Sequence, residues 1–249
     1  MKYMGSKQRI AKYIVPILQQ FIDDNNIDCY YEPFVGGANI IDKVRCKKKI
    51  GSDANKYLIA LLNHVRDGGC LYEDVSREFY NSVREAYKHN NDRHFEDWQI
   101  GNVGFLASFS GRWFDGGYAQ ASYENTKGSR RFRDYYQEAK RNIEQQRKSL
   151  LSCEFYCMDY RELHPKDSLI YCDPPYQGTK QYANAKEFDY AVFYNTVREW
   201  AQNNIVVVSE MQAPDDFCCI WEQKVSRSIN AMNKSSAVEK LFIYNQGVM

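Results

Sequence analysis

The chain has 249 residues, 44% hydrophobic and 26% charged, with 33 basic against 32 acidic side chains and a formal net charge of +1. That composition suits one α/β domain, or one with an inserted subdomain, and excludes collagen, low-complexity disorder and a uniformly basic polyanion coat. No apolar run approaches the roughly 18 residues of a spanning helix, the opening MKYMGSKQRI holds no secretory apolar region, and the eight cysteines show no CxxC or zinc-finger spacing.

Reduced thiols in a cytoplasm, no membrane and no metal are therefore expected. Along the chain, Ile10, Ile14, Ile17, Leu18 and Phe21 recur at helical spacing, and Pro16 marks either the start of that helix or a kink in it. IDCYYEP, at 27–33, reads as a strand. FVGGANII follows as a glycine turn opening a short helix. KKKIGSD, at 47–53, is a second strand. Residues 54–69 place Leu58, Leu61, Leu62 and Val65 on one helix face and end on Gly68 and Gly69.

From about residue 70 to 148 the pattern gives helices and no strand of the same kind. Residues 104–120 (GFLASFSGRWFDGGYAQ) read as an irregular aromatic platform. Between 127 and 148 stand eight bases and three acids, either a basic patch or the solvated face of a helix carrying Phe132, Tyr136, Ala139 and Ile143. CEFYC, SLIYC, NIVVVS and KLFIY then read as strands. Their near-continuous apolar runs suit a sheet covered on both faces, and a helix with Val192, Val197, Trp200 and Ala201 separates two of them. Strands alternating with helices predict a doubly wound parallel sheet. Residues 1–66 and 150–249 form it, and 67–149 are an insertion.

Asp173-Pro174-Pro175-Tyr176 follows SLIYC directly. It stands at the carboxyl end of a buried strand, where open α/β sheets bind ligands. Two prolines fix φ twice and stiffen the turn. The Asp173 carboxylate and the Pro174 carbonyl can together accept both hydrogens of one NH₂ group, and Tyr176 offers a flat face to a base. An exocyclic amine is a poor nucleophile because its lone pair is delocalised. Two acceptors on its hydrogens draw the nitrogen toward sp³ geometry and free the lone pair for attack. A stiffened junction with a packing tyrosine is the plainer alternative. Glu32-Pro33-Phe34-Val35-Gly36-Gly37 lets backbone approach a ligand closely, but it is not GxGxxG. Asp53 fits two roles: an acceptor for ribose hydroxyls, or the N-cap of the helix starting at Ala54.

These segments, in this order, resemble a known family over most of the chain. Tyr3-Met4-Gly5-Ser6-Lys7, EPFVGG, SDAN (with Asp53 and Asn55), the segment FYCMDY, D-P-P-Y, and the segment VSRSIN with Lys234 are similar to those of Dam-type, α-group, S-adenosyl-L-methionine-dependent DNA adenine-N6 methyltransferases. The resemblance implies a Rossmann-like class I methyltransferase sheet with an inserted, mainly helical DNA-recognition subdomain. It implies site-specific methylation of a flipped adenine in double-stranded DNA. Asp173, Pro174, Pro175 and Tyr176 would carry the chemistry. Tyr3, Lys7, Glu32, Phe34, Gly36, Gly37, Asp53, Met158, Asp159 and Asp173 would meet the cofactor. Ser228 and Asn230 would sit on a loop beside the substrate.

Arg112, Trp113, Lys127, Arg130, Arg131 and Arg133 are the expected DNA contacts, mostly to phosphate, although Trp113 equally fits the core of the insertion. FLASFSGRWFDGGY resembles phage and restriction-associated relatives and not the GATC-reading segment. A partner restriction endonuclease is consistent with that, and the recognition sequence stays open. Cytosine-N4 or RNA methylation, and a DNA-binding protein on an inactive scaffold, are the competing readings. Asp before P-P-Y favours adenine, and intact Asp173, Tyr176 and Asp53 favour an enzyme.

Overall fold

A computed structural model describes residues 1–89, 92–126, 129–176, 188–230 and 233–245. Helix α1 (Ala11–Asp24) runs through Pro16 and buries Ala11, Ile14, Leu18 and Ile22, the spacing of one apolar stripe. Strand β1 (Cys29–Glu32) follows. The next segment differs from expectation: residues 33–43 pass through successive turns and form no helix. Gly36 (φ 47°) and Ala38 (φ 54°) both hold left-handed backbone there, which breaks a helix at once.

Strand β2 (Lys48–Asp53) leads into α2 (Lys56–Arg66), which buries Leu58, Ile59, Leu61, Leu62 and Val65. Asn55 is its N-cap, with Oδ1 accepting from the N–H of Tyr57 and Leu58. That role does not fall to Asp53. Helices α3 (Arg77–Lys88) and α4 (Asp97–Gly101) come next, and α4 packs on α2. Strands β3 (Ser122–Thr126) and β4 (Ser129–Arg133) then pair antiparallel, with Tyr123 opposite Phe132 and Asn125 opposite Arg130.

This hairpin adds two strands, outside the main sheet, to a stretch expected to be helical with no strand of the core kind. It also removes Phe132 from any helix: the side chain is exposed on β4, whereas Tyr136, Ala139 and Ile143 are buried on α5 (Tyr135–Leu150). The basic segment thus divides between a ribbon and the crossover helix leading to β5 (Cys153–Cys157).

The remaining elements are β6 (Ser168–Cys172), α6 (Tyr190–Trp200), β7 (Ile205–Glu210), β8 (Phe217–Asn230) and β9 (Asn233–Tyr244). The seven-stranded sheet has the order β5-β2-β1-β6-β7-β9-β8. The first five strands are parallel to one another, as in the expected Rossmann-like α/β sheet. β9 enters antiparallel beside β7, and β8 closes the edge, so the sheet is mixed at this end. β8 also places Ser228 and Asn230 in a strand and not in a loop; their side chains lie outside the described residues.

Alternation along β6 shows why its run is wholly apolar. Leu169 and Tyr171 join the core under α1 and α2, while Ile170 and Cys172 join the core under α6. The first of these cores continues without a break into the insertion, through Tyr80, Val83, Ile100, Val103, Phe105 and Trp113.

Candidate active site at the strand ends

The chain leaves β1 toward β2 and β5, then returns to lay β6 against the other side of β1. The sequence order of the sheet reverses between these two strands. Crevices at the carboxyl ends of strands on either side of such a switch are where α/β sheets hold ligands. Glu32 ends β1, and Asp173 follows the last residue of β6, so the two expected segments meet at that point.

Asp173 is engaged by the N-terminal segment. Its Oδ1 lies 2.8 Å from Lys7 Nζ, and Glu239 Oε2 lies 3.7 Å from the same nitrogen. The Lys7 side chain is only 7% exposed. Its ammonium stands 4.3 Å from the centroid of the Tyr176 ring. Tyr176 is itself 8% exposed; its hydroxyl donates a short hydrogen bond to Glu239 Oε2 and lies 3.2 Å from Ser209 Oγ. The Tyr190 hydroxyl donates to the Pro175 carbonyl at 2.6 Å, which ties α6 to the turn. Burial raises the Asp173 carboxyl above its ordinary range, Lys7 opposes that shift, and Glu239 adds to it. Burial, then the charges of Asp173 and Glu239, push the Tyr176 phenol well up.

The glycine loop packs against the same N-terminal segment. A Cβ on Gly36 would stand 2.9 Å from the Tyr3 ring, and one on Gly37 would stand 2.6 Å from Asn39 Nδ2, so glycine is required for this closeness. Tyr3 also lies 5.7 Å, ring to ring, from Phe105 of the insertion. Glu32 is 3% exposed and accepts from the Tyr30 hydroxyl at 2.6 Å. Burial raises its carboxyl to about 8, and the Tyr30 hydrogen bond pulls against that rise. Asp53 accepts from Gly36 N at 3.2 Å and from Asn55 N at 3.0 Å. Burial lifts it to about 6, and those two N–H groups work against the lift. It therefore clamps the glycine loop to the end of β2.

Phe34 sits in an aromatic group with Tyr160, Phe188 and Phe193. Met158 N donates to the Asp53 carbonyl at 3.1 Å, which brings the FYCMDY segment to the same strand ends. Asp159 is turned to local work: it caps the turn at Tyr160–Glu162 and pairs with Arg161 at 2.7 Å.

The expected DNA contacts do not share one setting. Arg112 is exposed, on a turn whose Gly111 rests against the Lys2 carbonyl. Arg130 and Arg131 are exposed on β4, and the Arg130 guanidinium lies 4.4 Å from the Tyr123 ring centroid. Arg133 is held by Glu138 at 2.8 Å, and Lys2 reaches the same carboxylate at 2.8 Å. Arg133 and Lys2 together drop the Glu138 carboxyl to about 2. Trp113 is a correction. It is 6% exposed and packs on Phe105, Tyr57 and Phe114, so its indole is core and not a DNA-facing surface. Lys127 lies outside the described residues.

Glu239, Ser209 and Tyr190 are the residues that sequence reasoning passed over. Glu239 sits next to the apolar run of β9 with no motif around it, and only the antiparallel entry of β9 brings it to the site. Its one sequence signal is a charge flanking a buried strand.

The family model described as D12 class N6 adenine-specific DNA methyltransferase matches residues 3–199. The type II methyltransferase M.MjaIII of Methanocaldococcus jannaschii is 26% identical over 219 residues, which are 76% of this chain and 74% of that protein. Among solved structures, the rRNA methyltransferase aviRa from Streptomyces viridochromogenes gives a TM-score of 0.39 at 9% identity, over 96% of this chain and 84% of that one. The β8–β9 hairpin, with Glu239, lies beyond the matched span of the family model.

Proposed function

Because the chain belongs to the D12 class of N6 adenine-specific DNA methyltransferases, we propose that its donor is S-adenosyl-L-methionine and that Asp173 grips the target amine. The reaction is methyl transfer to N6 of adenine in DNA. Three carboxylates, Glu32, Asp53 and Asp173, stand at the ends of adjacent parallel strands, and burial raises all three. A carboxyl-lined crevice of this kind fits a donor that carries a sulfonium, an ammonium and a ribose diol, because a bound cation favours the ionised form of carboxyls that burial pushes toward the protonated one. Glu32 would face the cationic end. Asp53 spends two acceptor positions on Gly36 and Asn55 and keeps others for ribose hydroxyls. Tyr3, Lys7, Phe34, Gly36, Gly37 and Met158 would line the same crevice. When bound, the donor supplies an electrophilic methyl group.

The protein's own part is positioning. The target adenine leaves the duplex stack, at a cost of a few kcal/mol. Asp173 and the Pro174 carbonyl take the two N6 hydrogens, Pro175 stiffens the turn, and the Tyr176 ring, pinned at its hydroxyl by Glu239, flanks the base. The single observation that carries this reading is the meeting of the glycine loop and the D-P-P-Y turn where β1 and β6 lie side by side.

Residues 67–149 would read the duplex, chiefly through the basic β3–β4 ribbon, with Arg112, Arg130 and Arg131 toward phosphate and Ser228 and Asn230 on the substrate side. Acting in the cytoplasm on a fixed sequence, the product would protect DNA from a partner endonuclease, as the type II relative suggests.

The test uses labelled donor and unmethylated DNA, followed by nucleoside digestion and modified-base sequencing. Label in N6-methyldeoxyadenosine at one sequence context is expected. Asp173→Ala should lower transfer by at least about 100-fold with the fold retained by circular dichroism. Wild-type turnover in that variant would overturn the assignment of the turn.

A further inference from the structure

Two of the three contacts assigned to the target adenine, the Asp173 carboxylate and the Tyr176 ring, are made here by Lys7. Its ammonium donates to Asp173 Oδ1 at 2.8 Å and covers the Tyr176 ring at 4.3 Å. An ammonium offers three N–H donors and an exocyclic amine two, so either can satisfy that carboxylate, but not both in one place. A base can enter only if the ammonium moves off. Moving a nearly dry cation away from its anion is costly unless a second anion receives it.

Glu239 Oε2 is 3.7 Å from the same nitrogen, so a shift of about 1 Å brings the ammonium to hydrogen-bond distance. That oxygen also accepts from the Tyr176 hydroxyl, so the ring stays fixed while the lysine changes partner. We propose that Lys7 holds the place of the adenine amino group and that Glu239 is the positioning residue that receives the ammonium when the base enters. The inference rests on Asp173 and Tyr176 being the base contacts. It gives the site a ready anion for its lysine, so Asp173 keeps its charge for the incoming N6.

Glu239→Gln tests it, because the amide keeps an oxygen for Tyr176 and loses only the charge. We expect KM for DNA to rise about fivefold, with kcat and donor affinity within about twofold of wild type. In a Lys7→Met background the same substitution should leave KM for DNA unchanged or lower it, since no ammonium remains to be received. Variants too slow to assay are compared through the dissociation constant of a duplex carrying the mapped site. An unchanged KM in the Lys7 protein, or an equal rise in both backgrounds, overturns the inference. If circular dichroism shows the Gln variant unfolded, Glu239→Asp is carried through the same pair of backgrounds: a smaller rise confined to the Lys7 protein supports the inference, and no rise or an equal one overturns it. An active Asp173→Ala protein would instead sink the base-contact reading itself.

Discussion

Glu32 shows how one buried side chain ties stability to pH. Its carboxyl is almost fully covered at the end of β1, and burial raises it from 4.5 to about 8. Between those values the folded chain keeps a proton that the unfolded chain has lost. The folded state therefore binds more protons, and this group's contribution to stability falls as pH rises from about 4.5 to about 8. Glu32→Gln mimics the protonated form and keeps an acceptor for the Tyr30 hydroxyl. Its melting temperature should gain on the wild type by several degrees between pH 5 and pH 8, read by thermal melts in matched buffers. The difference between the two proteins isolates Glu32 from Asp53, which also titrates in this range. Melting curves that stay parallel across pH would show that Glu32 ionises freely.

At the scale of elements, the β3–β4 ribbon separates two arginines that look alike in sequence. Arg131 is exposed on the strand, whereas Arg133 is bound to Glu138 on α5. Arg131→Ala should weaken DNA binding uniformly across sequences and reduce the slope of log K against log salt by about 1. Arg133→Ala should leave that slope nearly unchanged and lower stability slightly, because it releases Glu138. Equal slopes for Arg131→Ala and wild type would take Arg131 off the phosphate backbone. The ribbon was not legible in the sequence, because the spacing of Phe132 with Tyr136 fits a helix as well as it fits chance. Only the antiparallel pairing of Tyr123 with Phe132 decides it. The core strands were legible for the opposite reason: SLIYC and NIVVVS are buried on both faces, so nearly every position is apolar. The glycine turn was legible as a turn but not as helix-free, since the left-handed backbone at Ala38 leaves no mark in composition.

Over the whole molecule, the site exists because distant segments converge on one switch point: Lys7 from the N-terminal turn, Glu32 from β1, Asp173 from β6 and Glu239 from β9. Motif order announced the first three. Glu239 was hidden because an antiparallel strand placement is a property of the assembled sheet and not of any local pattern. The same long-range character governs stability. The core beneath α1 and α2 runs on into the insertion through Ile100, Phe105 and Trp113, so sheet and insertion share one apolar interior. A shared interior predicts one cooperative transition in calorimetry, with the van't Hoff and calorimetric enthalpies in agreement. Trp113→Ala removes an indole packed against Tyr57 and Phe105, and should cost about 3–5 kcal/mol. Its effect should appear as a downward shift of that one transition and not as the early melting of a separate piece. DNA affinity per folded molecule should stay near wild type, because the indole faces the core. Two resolved transitions, with only the first moved by the substitution, would mean that the insertion folds as a unit of its own.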